Sequence, residues 1–368
     1  MPSINGVTNS VLRVLESLKA NGHEAIIFAP TAMADTYLGY KVVRIGRLYV
    51  KQFPVAIPYY NLKRELNAFE PDVVHVAAPF AFGRQAIKVA RRLGVPSIAI
   101  YQTDISGYAA RYGLPGLRPI IDRMIGAIHR RATVNLAPTS AGAEYLEKIG
   151  AKNVSVWGRG VSLEQFNPSH KDSAKALDYR ETLAKNGETV IGFVGRLAAE
   201  KQVHRFKELF ELQNVSFLIV GDGPERENLE KLFAGQKVIF TGKLMGEELS
   251  DAYAAMDIFM HCGTEETFGQ TIQEAQAMGL AVVAPNAGGP SHLIESGRTG
   301  ILVDHTVTNG YRDAVSELLE SPYKIKSLGA WAHDAVLGKS WSSNNEQLVK
   351  HYHKAIDLNN LMSELLVR

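Results

Sequence analysis

Glu266 and Glu274 are two carboxylates whose spacing suggests a ligand site. Seven residues separate them, and a short helical pattern covers residues 270–278. Because eight residues of α-helix rise about 12 Å, the two side chains could hold groups at opposite ends of one elongated ligand. A carboxylate accepts hydrogen bonds from sugar hydroxyls but is a poor ligand for phosphate. An exposed Glu266 and a helix-surface Glu274 without any role are the alternative.

A backbone cradle for an anion is predicted between these carboxylates. Thr267, Phe268 and Gly269 precede the helix. The N–H groups of Phe268, Gly269 and Gln270 would therefore point from the helix N-terminus toward a bound oxyanion. Gly269 has no side chain to block the approach of the backbone. Carboxylates on both sides of such a cradle suggest a nucleotide-sugar as the ligand.

Two cations follow one predicted strand. Gly195 and Arg196 come directly after the apolar run 190–194, and Lys201 lies close behind them. A planar arginine fork and a lysine charge at a strand exit can neutralise a leaving diphosphate. Surface cations on a capped helix are the alternative.

Two other strand exits carry weaker signals. Gly223 lies in a Gly-Asp-Gly-Pro turn, and Lys243 and Leu244 follow a glycine after the next apolar run. Backbone groups in these turns could contact the edge of a nucleobase. Glycine also suits tight turns for structural reasons alone.

The amino-terminal half holds candidates for binding an acceptor. Asn5 and Gly6 precede the first predicted helix and could contact an anion or an acceptor. Gln102, Asp104 and Tyr108 follow another apolar strand. Asp104 could bind an acceptor hydroxyl or act as a base.

Two further polar residues stand at strand ends in this half. Arg159, in a Gly-Arg-Gly turn, could reach a phosphate or form an interdomain salt bridge. His75 ends an apolar strand, and we interpret it as a hydrogen-bonded core histidine rather than a ligand.

Short apolar strands alternate with helices through both halves. This order predicts parallel sheets wound by right-handed crossovers, in which ligands bind beyond the carboxyl ends of the strands. We therefore expect an α/β fold of two doubly wound, Rossmann-like domains that face each other across a cleft. The predicted domains are residues 1–165 for the acceptor and 166–340 for the nucleotide-sugar. A helical tail, residues 341–368, is expected to cross back to the first domain.

The composition is that of an ordinary globular protein, with 46% hydrophobic and 21% charged residues among 368. No apolar run is long enough for a transmembrane helix, and the first residues lack the pattern of a signal peptide. A single cysteine, Cys262, fits a reducing compartment, so we expect a cytoplasmic protein. No CxxC, HxxxH or DxD pair occurs. We therefore expect no metal or other cofactor, with cations and a helix dipole stabilising the leaving group instead.

Charge is divided unevenly along the chain. Residues 1–165 hold 20 basic and 11 acidic residues, whereas residues 166–368 hold 20 and 27. The region 117–131 mixes arginines with isoleucines, as interfacial basic helices do. An anionic membrane surface is the preferred partner, because no nucleic-acid motif is present. Solvated surface and a half-buried domain helix are the alternatives.

Together, these motifs resemble retaining glycosyltransferases of the two-Rossmann-domain (GT-B) type, family 4. The resemblance rests on Glu-x7-Glu with Glu-Thr-Phe-Gly, on Pro-x-x-Gly-Gly-Pro and on Gly-Arg-x4-Lys, and it spans nearly the whole chain. Segments 5–10, 101–104 and 157–161 look most like GDP-mannose-dependent α-mannosyltransferases that act on glycolipids. Sulfoquinovosyl- and glucosyl-diacylglycerol synthases are also similar.

The resemblance implies a role for each main candidate. Glu274 would bind ribose hydroxyls, while Glu266 and the backbone after it would hold the transferred sugar and the distal phosphate. Arg196 and Lys201 would stabilise the leaving diphosphate. The new bond would form with retention, and the leaving phosphate is often proposed to take the acceptor proton.

The sequence departs from the family pattern in two places. Many relatives have a sugar-contacting histidine where this chain has Gln102, so Gln102 or Asp104 must substitute. Relatives also begin with a strand before the Asn-Gly loop, whereas Met1 falls almost on that loop. Either the true start lies upstream or the amino-terminal sheet lacks a central strand, which would expose a hydrophobic edge. We expect poor solubility or activity from the sequence as it stands.

The expected function is transfer of mannose from GDP-mannose to a lipid or glycan hydroxyl at the inner face of the cell membrane. A UDP-hexose donor is the alternative within the same class. A nucleotide-sugar 2-epimerase, which needs no acceptor, and a non-catalytic nucleotide-sugar sensor are alternatives from other classes. The intact carboxylates and cations of the candidate site argue against the sensor.

Overall fold

The computed structural model of the protein describes residues 6–30, 32, 34–50, 53–102, 116 and 118–367. The chain divides into two compact units. The first unit comprises residues 1–159 together with 341–368, and the second comprises residues 160–340. The division therefore falls between Arg159 and Gly160, whereas the sequence placed it after residue 165. None of the helices in the described ranges has the length and apolar character needed to span a membrane.

The first unit is built from short strands and the helices that connect them. Its strands are β1 (Ile26–Ala29), β2 (Thr36–Tyr37), β3 (Tyr40–Arg44), β4 (Arg47–Val50), β5 (Phe53–Ala56), β6 (Val74–Val76), β7 (Ser97–Ile100), β8 (Val134–Ala137) and β9 (Val154–Val156). Its helices are α1 (Gly6–Ala20), α2 (Leu62–Phe69), α3 (Ala81–Arg92), α4 (Arg118–His129), α5 (Ser140–Lys148) and, after the second unit, α13 (Trp341–Val367).

The parallel pairing predicted for the first unit is present, with additions. Strands β6, β7, β8 and β9 form a sheet in that order, and each neighbouring pair is parallel. β1 pairs in parallel with β3 in a separate sheet. Two antiparallel pairings, β2 with β3 and β4 with β5, were not predicted. These strands have two to five residues, too few for an alternating pattern to be recognised.

Helix α13 belongs to the core of the first unit, which confirms the predicted return of the tail. Leu348 and Ala355 of α13 pack in one buried cluster with Ile98 and Leu136 of the central strands. Trp157, also buried there, donates a hydrogen bond from Nε1 to the carbonyl oxygen of Asn344 at 2.9 Å. Burial of large apolar side chains stabilises the folded state by about 1.5–3 kcal/mol each, so α13 is an integral part of this unit.

The second unit is a six-stranded parallel sheet with helices. Its strands are β10 (Thr189–Val194), β11 (Val215–Val220), β12 (Val238–Gly242), β13 (Ile258–Met260), β14 (Ala281–Pro285) and β15 (Ile301–Val303). Its helices are α6 (Ala174–Leu183), α7 (Arg226–Leu232), α8 (Gly246–Ala254), α9 (Gln270–Ala277), α10 (Pro290–Leu293), α11 (Gly310–Leu319) and α12 (Pro322–Asp334).

The strand order of the second unit indicates where a ligand site is expected. The order is β12-β11-β10-β13-β14-β15, so the chain reverses its direction of progress between β10 and β13. In open parallel sheets a crevice forms at such a switch point, beyond the carboxyl ends of the two strands. The residues that directly follow β10 and β13 are therefore those placed to contact a ligand.

Candidate active site

The switch point of the second unit brings together the residues that follow β10 and β13. Arg196 lies two positions after β10, and His261 is the first residue after β13. β10 and β13 are hydrogen-bonded neighbours, with Gly192 opposite Phe259. The cations and the carboxylates predicted from separate motifs thus meet at one edge of the sheet.

The turns after β10 and β11 pack backbone against backbone, which explains their glycines. A Cβ atom on Gly221 would lie 1.9 Å from the carbonyl oxygen of Gly195, and one on Gly223 would lie 2.3 Å from that of Leu197. Gly223 also donates its N–H to Asp222 Oδ1 at 2.7 Å. These contacts make Gly223 a packing requirement of the turn, whether or not it also contacts a ligand.

Both candidate cations are paired with carboxylates. Lys201 Nζ contacts Glu266 Oε1, and the Arg196 guanidinium contacts Glu200 Oε1. About three quarters of the Lys201 and Glu266 side chains is buried. Glu200 was missed at the sequence level, although its position between the two cations could have indicated it. Since charged hydrogen bonds of this kind are strong, an incoming diphosphate would have to compete with these carboxylates.

His261 is a site residue that sequence reasoning did not single out. The side chain is buried, and its Nε2 lies 3.8 Å from Glu266 Oε1. Burial lowers the pKa of His261 to about 4, so the imidazole is neutral near pH 7. A neutral ring leaves Lys201 as the positive partner of Glu266. The signal available in the sequence was the position of His261 at a strand exit.

The loop after β14 closes on the backbone that leads into α9. Gly289 donates its N–H to the carbonyl oxygen of Glu266 at 2.7 Å. A Cβ atom on Gly289 would lie 2.1 Å from the carbonyl oxygen of Phe268, and one on Gly288 would lie 2.7 Å from that of Glu266. The Gly-Gly pair therefore allows the contact that fixes the path of the chain into α9.

Helix α9 starts where the sequence predicted an anion cradle. Gly269 is its N-cap residue, with φ at 100°, a conformation that favours glycine. The first amides of a helix have no carbonyl partner within it and carry the positive end of its dipole. Thr267, half-buried, lies between this cap and Glu266. Gln270 donates from Nε2 to the carbonyl oxygen of Gly160 at 3.1 Å.

Glu274 lies on α9 in a protected setting. The hydroxyl of the buried Tyr253 donates a hydrogen bond to Glu274 Oε2 at 2.9 Å. Burial raises the pKa of Glu274 to about 7, although hydrogen bonds with Tyr253 and Gln270 oppose the rise. Sequence patterns did not indicate Tyr253, because it lies on α8, outside every motif, and contacts Glu274 only after the two helices have packed together. The carboxylate is poised to ionise near neutral pH.

The two residues after β12 differ in setting. Lys243 is exposed. Leu244 is partly buried and packs against the apolar core of the second unit. This packing is sufficient to explain why an apolar residue stands at this position. The backbone contacts to a nucleobase predicted for this turn stay a prediction.

The candidates in the first unit are only partly within the described residues. Asn5, Asp104 and Tyr108 lie outside them, and Gly6 is the first residue of α1. Gln102 is buried directly beyond β7. Arg159 Nη2 donates a hydrogen bond to Gln102 Oε1 at 3.2 Å. Arg159 and Gln102, which the sequence analysis treated as separate candidates, are therefore hydrogen-bonded to each other. This contact holds the two side chains in place.

Comparison with known proteins defines the class. Residues 4–165 match the family described as Glycosyltransferase Family 4, and residues 175–334 match Glycosyl transferases group 1. The chain is 39% identical to a GDP-mannose-dependent alpha-mannosyltransferase of Corynebacterium glutamicum over 366 residues, which cover 97% of this chain and 87% of the relative. It is 30% identical over 311 residues to a sulfoquinovosyl transferase of Arabidopsis thaliana, covering 81% of this chain and 61% of that protein.

Solved structures agree on the fold. The Anabaena protein HepE, solved in complex with UDP, superposes with a TM-score of 0.77 at 18% identity, covering 96% of this chain and 98% of that one. Two Rossmann-like units with parallel sheets and these matches define a glycosyltransferase of the GT-B type. The chain belongs to glycosyltransferase family 4, and as an enzyme it is a hexosyltransferase.

Proposed function

We propose that this enzyme transfers mannose from GDP-mannose to a hydroxyl of a lipid or glycan, with retention of the anomeric configuration. The observation that carries the proposal is the arrangement at the switch point of the second unit. There the Lys201–Glu266 ion pair adjoins the N-terminal cap of α9. The 39% identity to a GDP-mannose-dependent alpha-mannosyltransferase supports the choice of donor.

In the proposed reaction, the bond from the anomeric carbon to the diphosphate breaks and a bond from that carbon to the acceptor oxygen forms. The acceptor proton passes to the leaving phosphate. Arg196 and Lys201 turn from Glu200 and Glu266 to the diphosphate as negative charge develops on it. Positioned cations and helix amides stabilise such charge strongly. Glu266, released from Lys201, accepts hydrogen bonds from the hydroxyls of the transferred sugar.

Glu274 is proposed to hold the ribose of the donor. Two neighbouring ribose hydroxyls are donors, and an ionised carboxylate offers two acceptor oxygens. Tyr253 donates to Oε2 of Glu274 and so fixes the orientation of the carboxylate. Because ionisation of Glu274 is centred at about 7, donor affinity should fall as the pH falls through this value.

We propose that the reaction needs no metal ion. The two cations at the strand exit supply positive charge of the kind that a divalent ion provides in other transferases. The prediction is tested by assaying transfer after treatment with EDTA and again after adding Mg²⁺ or Mn²⁺. Loss of activity that a metal ion restores would contradict it.

Helix α4 is proposed to bring the first unit to an anionic membrane surface from the cytoplasmic side. Ile120 and Met124 are 58% and 60% exposed on it, and Arg118 and Arg123 are exposed beside them. Apolar and basic groups on one helix suit the interface of anionic lipids. Co-sedimentation with phosphatidylglycerol vesicles that high salt weakens would support this placement, whereas equal binding to phosphatidylcholine vesicles would contradict it.

A UDP-hexose is the second candidate donor, and the 30% identity to a sulfoquinovosyl transferase leaves room for a sugar other than mannose. A thermal-shift panel of GDP-, UDP- and ADP-sugars separates the candidates, since a ligand at 100 times its Kd stabilises by about 2.7 kcal/mol. Transfer is then assayed with the selected sugar and two acceptors, dioleoylglycerol in mixed micelles and octyl α-mannoside. Nucleotide release only with acceptor identifies a transferase, whereas release without acceptor and with no glycoside product identifies the 2-epimerase alternative.

A further inference from the structure

A small cavity lies in the first unit at the carboxyl ends of β6 and β7. Its volume is about 20 Å³, and among the described residues its walls include the loop 77–80, Tyr101, Gln102, Ile125 and His129. A cavity of this size has room for one oxygen-sized group, provided that polar partners face it. Most of its wall is apolar, so the few polar groups decide what can enter.

The hydrogen bonds around His129 fix its tautomer. Asn135 donates from Nδ2 to the carbonyl oxygens of His129 and Lys152, at 3.0 and 2.7 Å. The amide nitrogen of Asn135 is therefore fully used, and its Oδ1 is the atom that faces His129 Nδ1 at 2.7 Å. Since Oδ1 can only accept, Nδ1 carries the proton.

The other ring nitrogen of His129 is consequently a hydrogen-bond acceptor. Burial lowers the pKa of His129 to about 4, so Nε2 has a lone pair at neutral pH. The residue is fully buried, and Nε2 has no hydrogen-bond partner among the described residues. His129 borders the cavity, whereas Asn135, which holds the opposite edge of the ring, does not. A buried acceptor without a donor is costly.

We propose that this cavity binds one hydroxyl that donates a hydrogen bond to His129 Nε2: a water molecule in the free enzyme, replaced by a hydroxyl of the acceptor when the acceptor binds. The inference rests on the proposed transferase function and extends it to a subsite. Gln102, held by a hydrogen bond from Arg159, is another polar side chain at the cavity. His129 thus contributes to recognition of the acceptor and leaves the reacting bonds to other groups.

The chemistry of the cavity restricts what it accepts. A phosphate or carboxylate oxygen without a proton would face the lone pair of Nε2 and be repelled, whereas a neutral hydroxyl can donate to it. The apolar side chain of Ile125 suits the carbon that carries the hydroxyl. The predicted ligand class is therefore a neutral polyol, such as a sugar ring or a glycerol moiety, rather than a phosphorylated group.

Imidazole ¹⁵N NMR of the full-length protein tests the site without any assay of activity. The signals of His129 are assigned by their loss in His129→Asn. At pH 7.5 we expect a protonated Nδ1 and an unprotonated Nε2 whose resonance shifts when glycerol is added as the hydroxyl probe. A protonated Nε2, or a resonance that glycerol leaves in place, would overturn the proposal.

Kinetic measurements on matched variants test whether His129 Nε2 contacts the acceptor during the reaction. His129→Asn retains a group near Nδ1 for Asn135 but loses Nε2, whereas His129→Gln extends an acceptor oxygen toward the cavity. We expect His129→Asn to raise KM for the acceptor about tenfold, as loss of one hydrogen bond of about 1.4 kcal/mol does, and His129→Gln to restore most of it. KM for the nucleotide-sugar should stay unchanged in both variants.

His75→Asn is the control for loss of an imidazole from the first unit. His75 is also in the first unit, its Nδ1 is hydrogen-bonded to Tyr352 at 2.7 Å, and it does not border the cavity. Equal acceptor KM values in His129→Asn and His75→Asn would refute the subsite and leave the transferase proposal intact. If wild type transfers sugar to neither dioleoylglycerol nor octyl α-mannoside, the proposed function fails for these acceptors, and the NMR result still decides on the hydroxyl site.

Discussion

Lys201 Nζ and Glu266 Oε1 form an ion pair that joins the turn after β10 to the loop before α9. The pair connects two motifs that are more than sixty residues apart in sequence. In the proposed reaction it is also the contact that must open, because each partner has a different role once the donor is bound. The ion pair thus holds both groups in place before the ligand arrives.

Lys201→Ala should lower turnover by about 100-fold, the size of effect seen when one charge-stabilising contact is lost. The substitution removes positive charge from the leaving diphosphate and leaves Glu266 without its partner. Steady-state kinetics with GDP-mannose measure the effect. The control is Lys207→Ala, which removes an exposed lysine between β10 and β11. Turnover like that of wild type in Lys201→Ala would remove this lysine from the mechanism.

Gly289→Ala should abolish donor binding by a purely steric route. The added Cβ atom would meet the carbonyl oxygen of Phe268 at 2.1 Å, so the loop must move away from the N-terminal cap of α9. Gly338→Ala is the matched control, because nothing lies within 4 Å of its added Cβ. We expect GDP-mannose to raise the melting temperature of the control but not of Gly289→Ala. An equal ligand-induced shift in both would show that the loop contact is dispensable.

Glu274→Gln should separate stability from function. The pKa of Glu274 is raised from 4.5 to about 7 in the folded protein, so the folded state binds the extra proton between these values. The contribution of Glu274 to the stability of the wild type must therefore fall as the pH rises from about 4.5 to 7, and level off above. Glu274→Gln has no buried carboxylate to ionise. The variant should therefore melt at a higher temperature than wild type at pH 8, but it should bind the donor more weakly. A lower melting temperature of the variant at pH 8 would contradict the raised pKa.

Three histidines, of which His129 and His261 are buried and His75 is half-buried, should make the protein sensitive to mild acid. Burial lowers the pKa values of His75, His129 and His261 to about 4, so the unfolded chain binds protons near pH 6.5 that the folded chain does not. Stability is therefore lost as the pH falls from about 6.5 to 4, with a slope of up to about 1.4 kcal/mol per pH unit for each histidine.

Urea unfolding at several pH values in the Glu274→Gln background measures this slope without the opposing carboxylate. His261→Asn should reduce the slope for the second unit, and His75→Asn should reduce it for the first. A slope that neither substitution changes would mean that these histidines are accessible to protons in the folded state.

The apolar strands of the second unit could be predicted closely from sequence. The apolar run 190–194 coincides with β10, Thr189–Val194, to within one residue, because it is a short apolar segment bounded by a polar residue and a glycine. The helix expected over 270–278 is α9, Gln270–Ala277. Local sequence determines such elements, since burial on both faces requires continuous apolar residues.

Contacts between distant segments could not be predicted in the same way. The pairing of Tyr253 with Glu274, the approach of Gly289 to Phe268 and the cavity beside His129 all depend on how elements pack after they form. The residue types alone do not encode these distances. Motif spacing identified most candidate residues, whereas the residues that orient them, such as Tyr253, lie on helices that carry no motif.

The first unit is assembled from both ends of this sequence, with α13 completing its core after the whole second unit has been read. During synthesis on the ribosome, the second unit is contiguous and can fold as soon as residue 340 has emerged. The strands β7 and β8 must meanwhile wait, with part of their apolar surface uncovered, for Leu348 and Ala355. Domains made from early sequence usually fold first, whereas the order of this chain allows the second unit to fold before the first is complete, and we expect a chaperone to act on the incomplete first unit.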